Sequence, residues 1–142
     1  MRTVRQLLGE KTADVFAVAP RDSVFEAIRL MADKGIGAVL VMDGPQLTGI
    51  VSERDYARKV VLHEKSSRAT PVQEIMTAKV ITVAPDATVK HCMQVVTEHR
   101  IRHLPVLEGD NVVGVISIGD LVKAVIEEQQ AELDQLQRYI AG

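Results

Sequence analysis

The chain has 142 residues, of which 46% are apolar and only 3% aromatic, and its formal net charge at pH 7 is −2. This length suffices for one small domain with an aliphatic core. The net charge gives no electrostatic case for a nucleic-acid ligand, which needs a basic face, and no apolar run approaches the roughly 20 residues that span a bilayer. Because the N-terminus also lacks the apolar run of a signal peptide, we expect a cytoplasmic protein that binds neither nucleic acid nor membrane.

The predicted elements form two successive sets, each opened by a short lead-in segment (Thr3–Leu8 and Pro71–Met76). Apolar periodicity and turn residues predict the order strand, helix, strand, strand, helix in each set. In the first set, the elements are a strand over Val15–Val18, a helix that begins with a capping box at Ser23 and Glu26 and ends at Gly35, strands over Ile36–Met42 and Leu47–Ser52, and a helix from Ser52 to Leu62. In the second set, they are a strand over Val80–Val83, a helix from Thr88 to Glu98, strands over Leu104–Leu107 and Val112–Ser117, and a closing helix that continues towards the C-terminus.

The second set is a copy of the first. Moved forward by sixty-five positions, Val15–Asp55 aligns with Val80–Asp120 without a gap. A repeat of this length predicts two copies of one supersecondary unit that bury their apolar faces against each other. We therefore expect an α+β fold of two pseudo-symmetric repeats, each a small sheet covered by two helices, packed together into one module with a C-terminal amphipathic helix.

The connection between the copies is polar over residues 63–69 and is expected to be mobile. After it, Thr70, Pro71 and Gln73 predict a helix with proline at its first position and a capping box. The predicted domain division is repeat 1 at 4–62, a linker at 63–70, repeat 2 at 71–126 and a C-terminal helix extension at 127–142.

Each copy carries the motif G-h-h-S-x-x-D, where h is apolar, at the point where its last strand turns into its closing helix. The two occurrences are Gly49–Asp55 and Gly114–Asp120. A serine at this position caps a helix, and an aspartate three residues later favours the positive end of the helix dipole. The same arrangement also suits a nucleotide, because a hydroxyl and helix-start N–H groups bind phosphate while the carboxylate accepts hydrogen bonds from both ribose hydroxyls. Both interpretations stay open at this stage, and the duplication favours the nucleotide site.

The duplicated pattern resembles a tandem pair of cystathionine β-synthase (CBS) domains, a stand-alone Bateman module. The resemblance rests on V-x-P at Val18–Pro20 and Val83–Pro85, on both G-h-h-S-x-x-D motifs, and on His99–Val106. It implies a non-catalytic sensor that binds an adenine nucleotide (AMP, ADP, ATP or NAD) in the cleft between the repeats. It also implies signalling to an unknown effector protein by a change of shape, with S-adenosylmethionine as the alternative ligand.

The resemblance assigns roles to individual residues. Asp55 and Asp120 match the ribose-binding acids of the family, and Ser52 and Ser117 match its phosphate-contacting hydroxyls. The residues implied to line the adenine slots are Val15, Ile36, Ile50, Val80, Ile101 and Val115.

The resemblance also implies that the two sites differ in charge. Arg102 and His103 match a basic pair that contacts phosphate in the family. The corresponding positions of the first repeat hold Gly37 and Ala38, so that repeat lacks the pair. Arg54 is expected to supply a positive charge there instead. We therefore expect unequal occupancy of the two sites.

Two other classes of function compete with the sensor. An enzyme needs a nucleophile beside a base or paired carboxylates in a pocket, and the sequence carries no such motif, no P-loop and no metal-ligand spacing. Cys92 lies on an apolar helix stripe, where we expect a buried thiol that packs as a small hydrophobic group. The stronger competitor is a ligand-free interaction module in which the serine and aspartate only cap helices.

The C-terminal helix carries a narrow apolar seam with one polar interruption. The seam consists of Val122, Ile126, Gln129, Leu133, Leu136 and Ile140. Spacings that alternate between four and three are typical of a helix that packs on a partner helix, so we expect a homodimer. The alternative is a helix that folds back on its own domain. The closing helices of the repeats are expected to add exposed apolar positions, namely Tyr56, Val60, Val61, Leu121, Val122 and Val125.

Overall fold

The computed structural model describes residues 2–11 and 14–141. These residues form two compact units, each of mixed helix and strand, which confirms the predicted α+β class. One unit comprises residues 14–81 together with the turn 109–112, and the other comprises the described residues of 1–13, 82–108 and 113–142. We name them the Asp55 unit and the Asp120 unit after the two predicted ribose-binding acids.

Helices and strands follow the predicted order closely. In chain order they are α1 (Val4–Glu10), β1 (Ala17–Val18), α2 (Val24–Lys34), β2 (Ala38–Asp43), β3 (Gln46–Ser52), α3 (Glu53–Tyr56), a π-helical segment (Ala57–Val61), a 3₁₀ turn (Val72–Glu74), α4 (Val89–His99), β4 (His103–Glu108), β5 (Asn111–Ser117) and α5 (Ile118–Ala141). No helix within the described part of the chain combines the length and apolar character needed to cross a membrane.

The Asp55 unit is built on a three-stranded sheet in the order β1-β2-β3. β1 runs parallel to β2, and β2 runs antiparallel to β3 with a register irregularity between Val41 and Met42. Helix α2 buries Val24, Ala27 and Met31, which belong to the same core cluster as strand residues such as Val39. Aliphatic residues thus fill this core, as the composition predicts.

The Asp120 unit contains the two-stranded sheet β4-β5. In place of a third strand, Val83 makes a single parallel bridge to Val106. The predicted strands Val15–Val18 and Val80–Val83 are therefore shorter than expected, because only their last residues pair with a neighbouring strand. Cys92 is fully buried on α4, as predicted, and burial raises the pKa of its thiol, which disfavours the reactive thiolate.

Helix ends in the two repeats use different residues for the same geometry. Ser23 accepts a hydrogen bond from the Glu26 N–H, which confirms the serine half of the predicted capping box. Gly35 ends α2 in the left-handed conformation with φ 64°. Arg100 ends α4 in that conformation with φ 54°, which a residue with a Cβ adopts only at a cost of about 1 kcal/mol.

The predicted helix start at Thr70 is wrong. The Thr70 hydroxyl donates to the Ser66 carbonyl at 2.6 Å, and only the short 3₁₀ turn follows Pro71. The second half of the predicted linker is also held in place. Its carbonyls at Ser67 and Thr70 accept from the first N–H groups of α2, which have no partner inside their own helix.

Each unit takes its lead-in segment from the other sequence copy. Thr3 bridges to Thr88 within the Asp120 unit, and Pro71 bridges to Ser23 within the Asp55 unit. The compact units therefore do not coincide with the sequence repeats 4–62 and 71–126, and the predicted domain division remains a statement about the sequence copies.

The surface of α5 matches the predicted seam in part. Val122, Ile126, Leu133, Leu136 and Ile140 are exposed along this continuous helix. The predicted exposure of the closing helices is wrong for two residues, because Val60 and Leu121 are buried in the cores of their own units. Val61, next to Val60, is exposed as expected.

Candidate functional site

In the Asp55 unit, the serine and aspartate of the motif bond to each other at the junction of β3 and α3. The Asp55 N–H donates to Ser52 Oγ at 3.2 Å, and the Ser52 N–H donates to Asp55 Oδ2 at 2.9 Å. The Ser52 hydroxyl also donates to Asp55 Oδ2 at 3.1 Å. These reciprocal bonds fix the carboxylate at the helix start, where its side chain is 14% exposed.

The Asp120 unit repeats this geometry at the junction of β5 and α5. The Asp120 N–H donates to Ser117 Oγ at 3.1 Å, and the Ser117 N–H donates to Asp120 Oδ2 at 2.9 Å. The Asp120 side chain is 29% exposed, about twice as much as that of Asp55. The serine–aspartate spacing therefore positions a carboxylate in the same way in both repeats.

A lysine contacts each of these carboxylates. In the Asp55 unit, Lys59 Nζ lies 3.1 Å from Asp55 Oδ1 and donates to the Ile75 carbonyl at 2.9 Å. In the Asp120 unit, Lys11 Nζ lies 2.8 Å from Asp120 Oδ2 and donates to the Val115 carbonyl at 3.0 Å. Both lysines thus bind one carboxylate and one backbone carbonyl.

The electrostatic consequence is clearest at Asp120. Burial of this carboxyl favours its neutral form, but the hydrogen bonds from Lys11 and Ser117 outweigh that effect and hold its pKa below the ordinary value of 3.8. Asp120 is therefore a carboxylate at neutral pH. It is an acceptor of hydrogen bonds and a counter-charge for a cation, and it does not serve as a proton donor.

A backbone hydrogen bond brings position 102 beside the start of α5. The Ile118 N–H donates to the Arg102 carbonyl at 2.8 Å, and the Glu53 N–H donates to the Gly37 carbonyl at 3.0 Å at the equivalent place in the Asp55 unit. The side chain of Arg102 is exposed, and His103 begins β4 half-buried. In the Asp55 unit the corresponding position carries no side chain beyond hydrogen, while Arg54 lies exposed on α3.

The remaining predicted residues divide between the units. The Asp55 unit contains Val15, Ile36, Ile50 and Val80, and the Asp120 unit contains Ile101 and Val115; all six are half-buried. Val80 begins the second sequence copy, yet it belongs to the same unit as Asp55. The role of these residues in an adenine slot stays a prediction.

Neither lysine is among the site residues predicted from the sequence. The contact of Lys59 with Asp55 could have been predicted from the sequence, because a lysine four residues after an acid on a helix faces that acid. The contact of Lys11 with Asp120 could not, because 109 residues separate the two. Among residues 2–11 and 14–141, no group of three or more His, Cys, Asp and Glu side chains is arranged to hold a metal ion.

Comparison with known proteins gives a consistent family assignment. The CBS domain family profile matches residues 4–62 and 72–127. The mitochondrial CBS domain-containing protein CBSX3 of Arabidopsis thaliana is 44% identical over 126 residues, which cover 85% of this chain but only 61% of that protein.

Solved structures of similar proteins share the fold. A CBS-domain protein from Burkholderia ambifaria is 57% identical with a TM-score of 0.87, over 90% of this chain and 96% of that one. A CBS-domain containing protein from Agrobacterium tumefaciens is 37% identical with a TM-score of 0.82, over 87% of this chain and 98% of that one.

Proposed function

This chain belongs to the CBS domain family, whose domain pairs are regulatory modules, and on that premise we propose that it binds an adenine nucleotide at its Ser-x-x-Asp junctions. In this proposal Asp55 and Asp120 accept hydrogen bonds from the ribose hydroxyls, and binding is signalled to an effector protein by a change of conformation. The chain would bind and report a metabolite without converting it.

The observation that carries the proposal is the duplicated, preorganised carboxylate. Each aspartate is held at a helix start by two backbone-assisted bonds with its serine, and each remains partly exposed. A carboxylate that is ionised, fixed and accessible suits a vicinal diol, because its two oxygens accept from two hydroxyls. Ser52 and Ser117 are already bonded to these acids, so we propose that they contact phosphate only secondarily.

The two junctions differ in the charge that surrounds them. We propose that Arg102 and His103 contact the phosphate of a ligand near Ser117, and that Arg54 takes this role near Ser52. A basic pair beside one site only would give the two sites different affinities for phosphorylated ligands. The six half-buried apolar residues of the predicted adenine slots would supply the surface for the base.

The proposed contacts restrict the ligand to compounds that contain adenosine, and they do not distinguish among such compounds. AMP, ADP, ATP and NAD all present adenosine with a charged phosphate. A CBS domain pair that is 22% identical was solved with 5′-methylthioadenosine and S-adenosyl-L-methionine, a likeness that establishes the shared fold alone. S-adenosylmethionine therefore belongs in the ligand panel as the alternative to nucleotides.

We also propose that the working unit is a homodimer in which the exposed seam of α5 packs against its copy. A CBS-CP12 protein from bloom-forming cyanobacteria that is 26% identical forms a hexamer.

The cytoplasmic location expected from the sequence stays a prediction, since the Arabidopsis relative is mitochondrial.

A second candidate function is a ligand-free interaction module. The closure of both serine–aspartate pairs into reciprocal helix caps favours it, because caps of this kind stabilise a helix start by about 1 kcal/mol without any ligand. In this case the seam would carry the function and the aspartates would be structural.

Thermal melting and calorimetry with AMP, ATP, NAD and S-adenosylmethionine separate the two candidates. A ligand that binds only the folded chain raises the melting temperature. The variant Asp55→Asn/Asp120→Asn keeps a capping side chain but loses the charge, and it should lose most of the binding while it remains folded. Asp86→Asn changes an exposed acid outside both junctions and serves as the control.

Wild-type affinity in the double variant would show that the aspartates do not bind ribose. If none of the four ligands shifts the melting temperature of the wild-type chain, the ligand-free module becomes the better account.

A further inference from the structure

The starting observation is the position of Lys11. It follows α1 directly, and its ammonium group bonds to Asp120 Oδ2 and to the Val115 carbonyl. Both contacts fall on residues that the proposed function assigns to the ligand, one to ribose and one to adenine. Lys11 therefore occupies the second-repeat junction as a positively charged side chain from a remote part of the chain.

The Asp55 unit shows that an ammonium group at this place is not unique to one repeat. Lys59 binds Asp55 and a backbone carbonyl in the same manner. Moved forward by sixty-five positions, however, Lys59 falls on Ala124, which is buried. The second repeat thus has no lysine at the position equivalent to Lys59, and Lys11, three residues beyond the first lead-in segment, contacts the acid instead.

The contact matters because an ammonium group and a diol compete for one carboxylate. The two oxygens of a carboxylate accept a limited number of hydrogen bonds, and a charge-assisted bond is stronger than one from a neutral hydroxyl. Oδ2 of Asp120 already accepts from Lys11 and from the Ser117 N–H. A diol that bonds to both oxygens would have to take the place of the lysine.

We infer that Lys11 is a built-in competitor of the ribose diol at Asp120, so that a nucleoside binds the second repeat only when the Lys11 ammonium leaves this carboxylate. This inference rests on the proposed function. It makes Lys11, the residue that follows α1, a regulatory element of the second site, whereas the first site is covered by a lysine of its own closing helix.

Residues 2–10, which precede Lys11, are held independently of it. Val4 and Leu7 of α1 are buried, and Arg2 forms ion pairs with Glu10 and Glu127. A change at the exposed Lys11 therefore removes the competitor without removing the anchors of α1. This separation allows a test by substitution at one position.

The test is calorimetric binding of adenosine to the full chain in the Asp55→Asn background, which silences the first site. Adenosine is the probe because it has the diol but no phosphate that a lysine would attract. Removal of an ion pair of this exposure predicts that Lys11→Met binds adenosine about twofold to fivefold more tightly. Lys11→Arg keeps the charge and should bind as the parent does.

Two controls isolate the competition. The matched ligand 2′,3′-dideoxyadenosine lacks the hydroxyls, so its affinity should not change on Lys11→Met. The matched variant Lys90→Met removes an exposed lysine on α4 and should leave adenosine affinity unchanged. A urea unfolding curve for each variant verifies that the chain is folded.

The outcomes distinguish this inference from the function on which it rests. If Lys11→Met binds adenosine with equal or lower affinity than the parent, the competition is wrong and the nucleotide site stands. If the gain is the same for dideoxyadenosine, the lysine does not compete with the diol. If adenosine binds neither the parent nor Lys11→Met, the inference is overturned, and thermal melting of the wild-type chain with AMP, ATP, NAD and S-adenosylmethionine decides the proposed function separately.

Discussion

The glycine that opens each G-h-h-S-x-x-D motif makes a prediction about packing that is independent of any ligand. A Cβ built on Gly49 would lie 2.4 Å from Met76 Sδ, 2.8 Å from Met76 Cγ and 3.1 Å from Met76 Cβ. A Cβ on Gly114 would lie 2.5 Å from Leu8 Cδ2 and 3.2 Å from Leu8 Cδ1. Met76 and Leu8 occupy equivalent positions in the two lead-in segments, so each glycine admits the lead-in segment to its sheet.

We expect Gly49→Ala to be destabilising and Gly114→Ala to be less so. Overpacking costs about 1–3 kcal/mol, and the lower entropy of the unfolded alanine chain returns about 0.4–1 kcal/mol. At Gly114 the obstruction is the far end of a leucine, which rotates away. At Gly49 it extends to Met76 Cβ, which moves only with the backbone. The estimate is about 1–2 kcal/mol for Gly49→Ala and about half of that for Gly114→Ala.

Thermal and urea unfolding measure this cost, which for Gly49→Ala corresponds to a fall in melting temperature of roughly 3–8 °C. Gly9→Ala is the matched control, because a Cβ there meets no atom within 4 Å, and on a helix it should stabilise by about 0.5–1 kcal/mol. The Met76→Ala background removes Sδ and Cγ but keeps the Cβ at 3.1 Å, so the cost of Gly49→Ala should fall there to below about 1 kcal/mol. An undiminished cost in that background would refute the steric account.

Three further predictions concern charge and association. The depressed pKa of Asp120 means that its pairing with Lys11 stabilises the fold above the ordinary carboxyl pKa of 3.8, and that this stabilisation is lost as the pH falls through the lower pKa of the folded carboxyl. Lys11→Met should therefore lower the free energy of unfolding by up to about 1 kcal/mol at pH 7, and urea titrations should find that this difference shrinks as the pH falls below 3.8. Truncation after Glu127 removes three exposed seam residues, Leu133, Leu136 and Ile140. Burial of such a side chain stabilises a dimer by about 1.5–3 kcal/mol, so light scattering at tens of micromolar should show loss of the homodimer. A truncated chain that remains a dimer would show that the seam does not hold the subunits together. Arg102→Ala/His103→Ala should weaken calorimetric binding of AMP far more than that of adenosine, and equal losses would remove phosphate recognition from this pair.

Local features of this protein followed from the sequence by itself. Patterns that span a few residues, or that recur at a fixed distance, predict the repeat, the α+β class and the helix starts at Ser23 and Thr88. The bonds between Ser52 and Asp55, and between Ser117 and Asp120, are of this kind, because residues three apart meet wherever a helix begins. Periodicity and capping chemistry suffice to predict them.

Local patterns failed where a residue had a partner outside its own element. The residues around Thr70 match the sequence pattern of a helix cap, but the Thr70 hydroxyl donates its hydrogen bond to the Ser66 carbonyl instead. Val60 and Leu121 fitted an exposed stripe, yet each packs into the core of its unit. Helical spacing gives the side of a helix on which a residue lies, and only the neighbouring elements decide which side is covered.

The features that matter most for the proposed site were decided by tertiary structure. Lys11 reaches Asp120 across 109 residues of chain, and no spacing rule connects two positions so far apart. The sequence motif includes Gly49 and Gly114, but only the structure shows why glycine is needed there: Met76 and Leu8 lie where a Cβ would be. The sequence determined that each repeat presents a carboxylate at a helix start, and the fold determined which cation covers it, because long-range contacts depend on how elements pack and not on the order in which they are written.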